Sequence, residues 1–156
     1  MRTNIHKLKV KSRKYKFLPD IATADIAYEA FGKNYNELFE NAGLALESVM
    51  VNLETVKSSR VKKIKLQADS LENLLFTFLQ ELVFLKDAEQ LLFNRIKCDV
   101  REVDSGQWTA NSELSGEEIN PQKHKLGVDV KAVTKHLFKV EKFPKRAFHC
   151  QVILDV

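Results

Sequence analysis

The groups in this chain with the clearest chemical use are carboxylates. The last six residues read QVILDV (151–156), which puts Asp155 one place before the terminal carboxylate of Val156. Two negative groups so close repel unless water screens them or a cation bridges them. A third acid, Asp25, lies in the stretch TADIAYEAF (23–31). If the strands carrying Asp25 and Asp155 are neighbours, Asp25, Asp155 and the α-carboxylate of Val156 converge. Such hard oxygen donors suit Ca²⁺, Mg²⁺ or Mn²⁺ rather than zinc. On spacing alone a second reading stands beside this one, in which each acid is a separately solvated strand-end residue.

The other reactive side chains form no recognisable constellation. The five glycines and four histidines make no phosphate loop, dinucleotide fingerprint, HExxH pair or GxSxG elbow. His124 and His136 are too far apart for a local zinc motif, and Cys98 and Cys150 lack paired spacing. His136 reads as a core or edge histidine bonded to a neighbour. Two distant cysteines fit reduced thiols in a cytoplasm.

The elements that must position the acids follow from periodicity. In TADIAYEAF, Ala24, Ile26, Tyr28 and Ala30 share one face, and Thr23, Asp25, Ala27 and Glu29 the other, which predicts a half-buried strand with Asp25 on its polar side. The final strand divides in the same way. Phe148, Cys150, Val152, Leu154 and Val156 anchor one side in the core, while Ala147, His149, Gln151, Ile153 and Asp155 take the other. Asn34 followed by Glu37 predicts a capped helix running to about Met50, with Tyr35, Leu38, Phe39, Ala42, Leu46 and Val49 at helical spacing. VKKIKLQA (61–68) predicts a strand with one wet side. Asp69 and Glu72 then cap a second amphipathic helix carrying Leu71, Leu74, Leu75, Phe78, Leu82 and Leu85. Residues 91–103 and 107–114 flank Asp104-Ser105-Gly106 and predict a hairpin. Residues 116–127 read as a loop, and 128–142 and 147–156 as two long final strands. The economical architecture is a single α+β domain with two amphipathic helices packed on a mainly antiparallel β-sheet system.

Composition agrees. With 156 residues, 44% hydrophobic and 29% charged, the chain suits one globular core. Its longest apolar stretch, LLFTFLQELVFL (74–85), is too short to span a bilayer, and the N-terminus has no export signal, so a cytoplasmic location without membrane contact is expected. The net charge of +4 is unevenly distributed. Residues 1–16 hold seven Lys or Arg and no acid, whereas the remaining 140 carry 18 basic and 21 acidic side chains, a net −3. Residues 1–13 are therefore expected to form a basic, flexible extension to a domain at 14–156. A use for that tail in RNA binding is the alternative electrostatic reading.

The blocks ATADIAYEAFGKNYNELFENAGLALESVM, ADSLENLLFTFLQELVF, VKAVTKHLFKVEK and VILDV, in this order and spacing, resemble the archease family from about Tyr15 to Val156. The resemblance implies a small α+β protein that is not itself an enzyme. It would act as accessory to the tRNA-splicing RNA ligase, promoting guanylylation with GTP and multiple turnover in tRNA splicing and RNA repair. It also implies a metal site of Asp25, Asp155 and Val156, with calcium the first expectation for the ion and magnesium or manganese behind it. Asp129, Lys131 and Lys123 are implied beside that site or toward the partner. The family commonly reads HTAD where this chain has Ala22-Thr23-Ala24-Asp25, which replaces a polar ring near the metal carboxylate by a methyl group. Two other functions fit the residues: an RNA or protein chaperone that uses the basic tail, and a metal-dependent phosphoester hydrolase.

Overall fold

A computed structural model describes residues 14–19, 25–142 and 148–156, so the basic extension at 1–13 and the Ala22-Thr23-Ala24 stretch lie outside the described residues. Strands β1 (Tyr15–Phe17), β2 (Ile26–Gly32), β6 (Ala132–Lys142) and β7 (Phe148–Asp155) form one sheet in the order β1-β2-β7-β6. Strands β3 (Arg60–Ala68), β4 (Leu91–Asp104) and β5 (Gln107–Glu118) form a second in the order β3-β5-β4. Every pairing is antiparallel. Helix α1 (Tyr35–Met50) packs on β2 and β4, and helix α2 (Leu71–Glu89) packs on β6, β3 and β5. The expected α+β architecture with two helices on antiparallel sheets is the observed one.

Local chemistry sets the element ends. The Asn34 side chain accepts the Glu37 N–H at 2.8 Å, and Glu37 in turn accepts the Lys33 N–H at 3.2 Å, the reciprocal arrangement expected at the start of α1. Helix α2 differs by one residue. Ser70, not Asp69, caps it by accepting the Asn73 N–H at 3.0 Å, while Asp69 holds the Asn73 side chain at 2.8 Å. The hairpin turns at Gly106, whose φ of +78° favours a residue without a Cβ.

Strand β5 runs to Glu118, so the expected loop begins at Ile119, not at 116. Gly116 was a loop signal in the sequence, but it lies inside the strand where β4 shifts register. A Cβ there would sit 1.8 Å from the Leu92 carbonyl oxygen. At the other end of that loop, β6 begins at Ala132, later than the expected 128, and it carries a register shift between Thr134 and Lys139 with Leu137 at φ +55°. His136 falls in this irregular stretch and is exposed.

The helices also complete the sheets. β4 and β6 are outer strands, and their outward N–H groups would otherwise lack partners. Along one stripe of α1, Asn36 Oδ1 accepts from Val100, Glu40 Oε2 from Cys98 and Glu47 Oε1 from Phe93, at 2.7, 2.9 and 3.0 Å. On α2, Gln80 Oε1 accepts from Val133 at 2.6 Å and Glu72 Oε2 from Val140 at 3.3 Å. Between helices and sheets, Tyr28, Phe39, Phe78 and Phe93 are fully buried. The Tyr28 hydroxyl donates to the Ala42 carbonyl at 3.0 Å.

Glu47 is itself fully buried, and its Oε2 has no partner among the described residues. Burial pushes its carboxyl up from 4.5 to about 8, against the Phe93 N–H and the Lys86 charge, which favour ionisation. The folded protein therefore holds a proton that the unfolded chain releases above pH 4.5. This contribution is complete below pH 4.5 and falls by at most about 1.4 kcal/mol per pH unit until pH 8. Glu47→Gln removes the titrating group. Urea unfolding should show the free-energy difference between variant and parent moving in the variant's favour from pH 5 to pH 8. A difference independent of pH would mean that Glu47 is ionised in the fold.

Candidate metal centre

The β2–β7 ladder brings the first and last acids together. Its pairs run from Gly32↔Phe148 to Ile26↔Leu154, so the next residues in register are Asp25 and Asp155. Residues directly opposed in an antiparallel pair share a face, with Cα atoms about 5 Å apart. The two carboxylates thus leave the same side of the same sheet end, Asp25 half-buried and Asp155 exposed. Neither forms an ion pair or a side-chain hydrogen bond among the described residues.

The terminus is held firmly for an end of chain. On the far side of β7, Ala132 pairs with Asp155, and the Lys131 N–H donates to the Asp155 carbonyl at 2.8 Å. Val152 and Leu154 are fully buried, and the Val156 side chain packs at the edge of the core, as the alternation predicts. The opposite face is less open than expected. Ala27, His149, Gln151 and Ile153 are also buried, which corrects the half-buried reading of β2 and leaves Asp155 as the exposed residue of β7. His149 is accommodated there by Glu29, 2.6 Å from its Nε2.

The donor chemistry fits a hard cation. Among the described residues no three His, Cys, Asp or Glu side chains are grouped for metal binding. Asp25 and Asp155, next in register beyond Ile26↔Leu154, would supply two carboxylates, and the third donor of the expected set is the main-chain carboxylate of Val156. Three carboxylates offer up to about six oxygens, the lower limit of calcium's coordination number, with room for water.

The flanking residues divide. Lys131 stands opposite Val156 in register and contributes its N–H to the terminus. Asp129 Oδ1 accepts from Lys86 Nζ at 2.5 Å, and Asp129 forms no three-acid group with Asp25 and Asp155. The Lys123 ammonium pairs with Glu117 at 2.6 Å. Glu117 also receives the Lys57 N–H at 2.7 Å and lies 2.8 Å from His124 Nε2, and these partners hold its carboxyl down at about 2. Because His124 Nδ1 accepts the Asn120 N–H at 2.9 Å, the ring proton is on Nε2, which donates to Glu117. His124 is thus a structural pin in the loop.

One residue that the sequence reading passed over is central. Lys86 is 7% exposed, and its ammonium lies 2.6 Å from Asp87 and 2.8 Å from the Val130 carbonyl, besides Asp129. Burial pulls it down, but the hydrogen bonds and charges of Asp129 and Asp87 outweigh this and keep the ammonium above its ordinary value. The signal was present, since Lys86 follows Leu79 and Leu82 on the buried stripe of α2. Cys98 and Cys150 are free and buried, with thiols pushed up to about 12, which makes them inert at neutral pH.

Comparison with known proteins agrees with this architecture. Residues 15–156 match the model of the Archease protein family (MTH1598/TM1083). The chain is 35% identical over 134 residues to Protein archease of Thermococcus kodakarensis, covering 86% of this chain and 94% of that one. It is 30% identical over 146 residues to Protein archease of Methanosarcina mazei, covering 94% and 98%. The solution structure of Methanobacterium thermoautotrophicum protein 1598 superposes with a TM-score of 0.81 at 30% identity, over 93% of this chain and all of that one. A shared fold, near-complete coverage and identity at this level lead to one conclusion: this chain belongs to the archease family.

Proposed function

We propose that this chain is a divalent-cation-binding accessory protein of the tRNA-splicing RNA ligase, which promotes guanylylation and repeated turnover of that enzyme without itself joining RNA. The observation that carries the reading is the β2–β7 ladder, whose last pair Ile26↔Leu154 leaves Asp25 and Asp155 as the next residues in register, beside the Val156 terminus. Two acids without cationic partners among the described residues, on one sheet end, are stabilised by a bound cation. Asp25, Asp155 and the Val156 carboxylate would hold the ion, calcium first, with magnesium or manganese as the other hard cations that suit the donors. When bound, the ion supplies positive charge at a surface that a partner or its nucleotide can reach, since Asp155 is exposed. The protein contributes a rigid frame: Lys131 fixes the terminus, and Lys86 fixes the chain leading to Lys131. Buried free thiols support a cytoplasmic setting. Among the described residues no helix is long and apolar enough to cross a membrane.

Two measurements test this reading. Calorimetric titration with calcium should show binding to the parent chain that weakens at least tenfold in Asp25→Asn and in Asp155→Asn, with melting temperatures close to the parent's. The same variants should lose stimulation of ligase guanylylation by GTP. Full stimulation by both would overturn the metal-site reading. Separately, Lys86→Met should cost about 2 kcal/mol in urea unfolding and also weaken calcium binding, because the chain at 129–131 loses its anchor. Lys86→Arg should recover part of each. Undiminished calcium affinity in Lys86→Met would mean that the terminus is positioned without Lys86.

A further inference from the structure

The outward face of the three-stranded sheet carries charge that the carboxylate pair does not explain. Its inner face, with Ala110, Ser112 and Leu114, is buried. Its outer face bears Lys63, Lys65, Arg95 and Lys97, all exposed and none in an ion pair among the described residues. Register sets Lys63, Glu113 and Lys97 in one cross-strand row, with Lys65 and Arg95 on either side of it. The nearby Arg101 and Asp99 neutralise each other at 2.9 Å. The middle of the face thus holds four cations outside any ion pair among the described residues against Glu113, while Asp104 lies on the same face at the hairpin end and Glu40 of α1 lies near enough to Lys97 to feel its charge. A shallow depression of about 420 Å³, bordered by Lys63, Lys65, Lys97, Asn111 and Glu113, runs between the lysines.

Neighbouring lysines along β3 are about 6.6 Å apart, and those across two strand spacings about 10 Å apart. Such an array matches a flexible polyanion with charges at short intervals. The face has no aromatic ring on which bases could stack, so recognition would rest on phosphates and be indifferent to sequence. An acidic peptide is a poorer fit, because the middle of a paired sheet offers an extended chain neither a ladder nor an apolar pocket. We propose that this sheet face is a sequence-independent binding surface for the phosphodiester backbone of nucleic acid. It is separate from the β2–β7 sheet end and independent of whether that end binds metal.

The test is fluorescence anisotropy of a labelled 20-nucleotide single-stranded RNA with the full chain, titrated from 50 to 300 mM KCl. The full-length variant K63Q/K65Q/K97Q should bind at least tenfold more weakly at low salt and lower the magnitude of the log–log salt slope by about 2. Glu113→Gln should move the other way, tightening binding several-fold by removing the acid within the lysine row. A tail variant, K7Q/K9Q/K11Q, should leave the effect of the sheet substitutions intact. Unchanged affinity in both K63Q/K65Q/K97Q and Glu113→Gln would overturn the proposal, as would loss of all RNA binding in the tail variant. A labelled poly-glutamate peptide bound as tightly as the RNA would reassign the face to acidic proteins and overturn it too. Melting temperatures guard against misfolding, and a gain of affinity in Glu113→Gln has no explanation in loss of structure.

Discussion

The constraint on which the rest of the structure depends is that the outer strands β4 and β6 must satisfy backbone N–H groups that face no neighbouring strand. Burying them unpaired would cost about 1–3 kcal/mol each. The helices supply the missing acceptors: Asn36, Glu40 and Glu47 from α1, and Glu72 and Gln80 from α2. Each helix is therefore fixed in rotation and translation by polar contacts with a strand, in addition to its apolar packing. The core between Tyr28, Phe39, Phe78 and Phe93 takes its shape from that registration.

The same device reaches the candidate metal centre. Gln80 holds the start of β6 at Val133, and six residues later Lys86 holds the Val130 carbonyl. The backbone between these points is short, and it includes the Lys131 N–H that binds Asp155. The path from α2 to the end of β7 is thus a chain of directional hydrogen bonds. A site made of acids at strand ends would ordinarily be loose, and here it is framed on both sides, by β2 and by β6.

Much of this was legible in the sequence, for reasons tied to particular residues. Alternation in Ile26, Tyr28, Val152 and Leu154 identified both strands of the site and their core side, because side-chain period is a local property. The Asn34–Glu37 pair and Gly106 marked the start of α1 and the hairpin turn for the same reason. What escaped was non-local. Gly116 read as a loop because its role, making room for the Leu92 backbone, exists only once β4 lies beside it. The engagement of Asp129 by Lys86 was not legible, because it depends on a helix 43 residues away. The second buried face of β2 and β7 likewise came from tertiary contacts, among them the Glu29–His149 pair. The family resemblance contributed what periodicity could not, the pairing of residues from the two ends of the domain.

The polar stripe on α1 has a meaning beyond native stability. β4 is 14 residues long, and with α1 displaced its outer edge would present a row of unpaired N–H and C=O groups to solution. Asn36, Glu40 and Glu47 thus act as chaperones within the chain, occupying the positions that a strand from a second molecule would otherwise take. Detachment of a single helix, without unfolding of either sheet, would expose this edge as a template for intermolecular β-assembly.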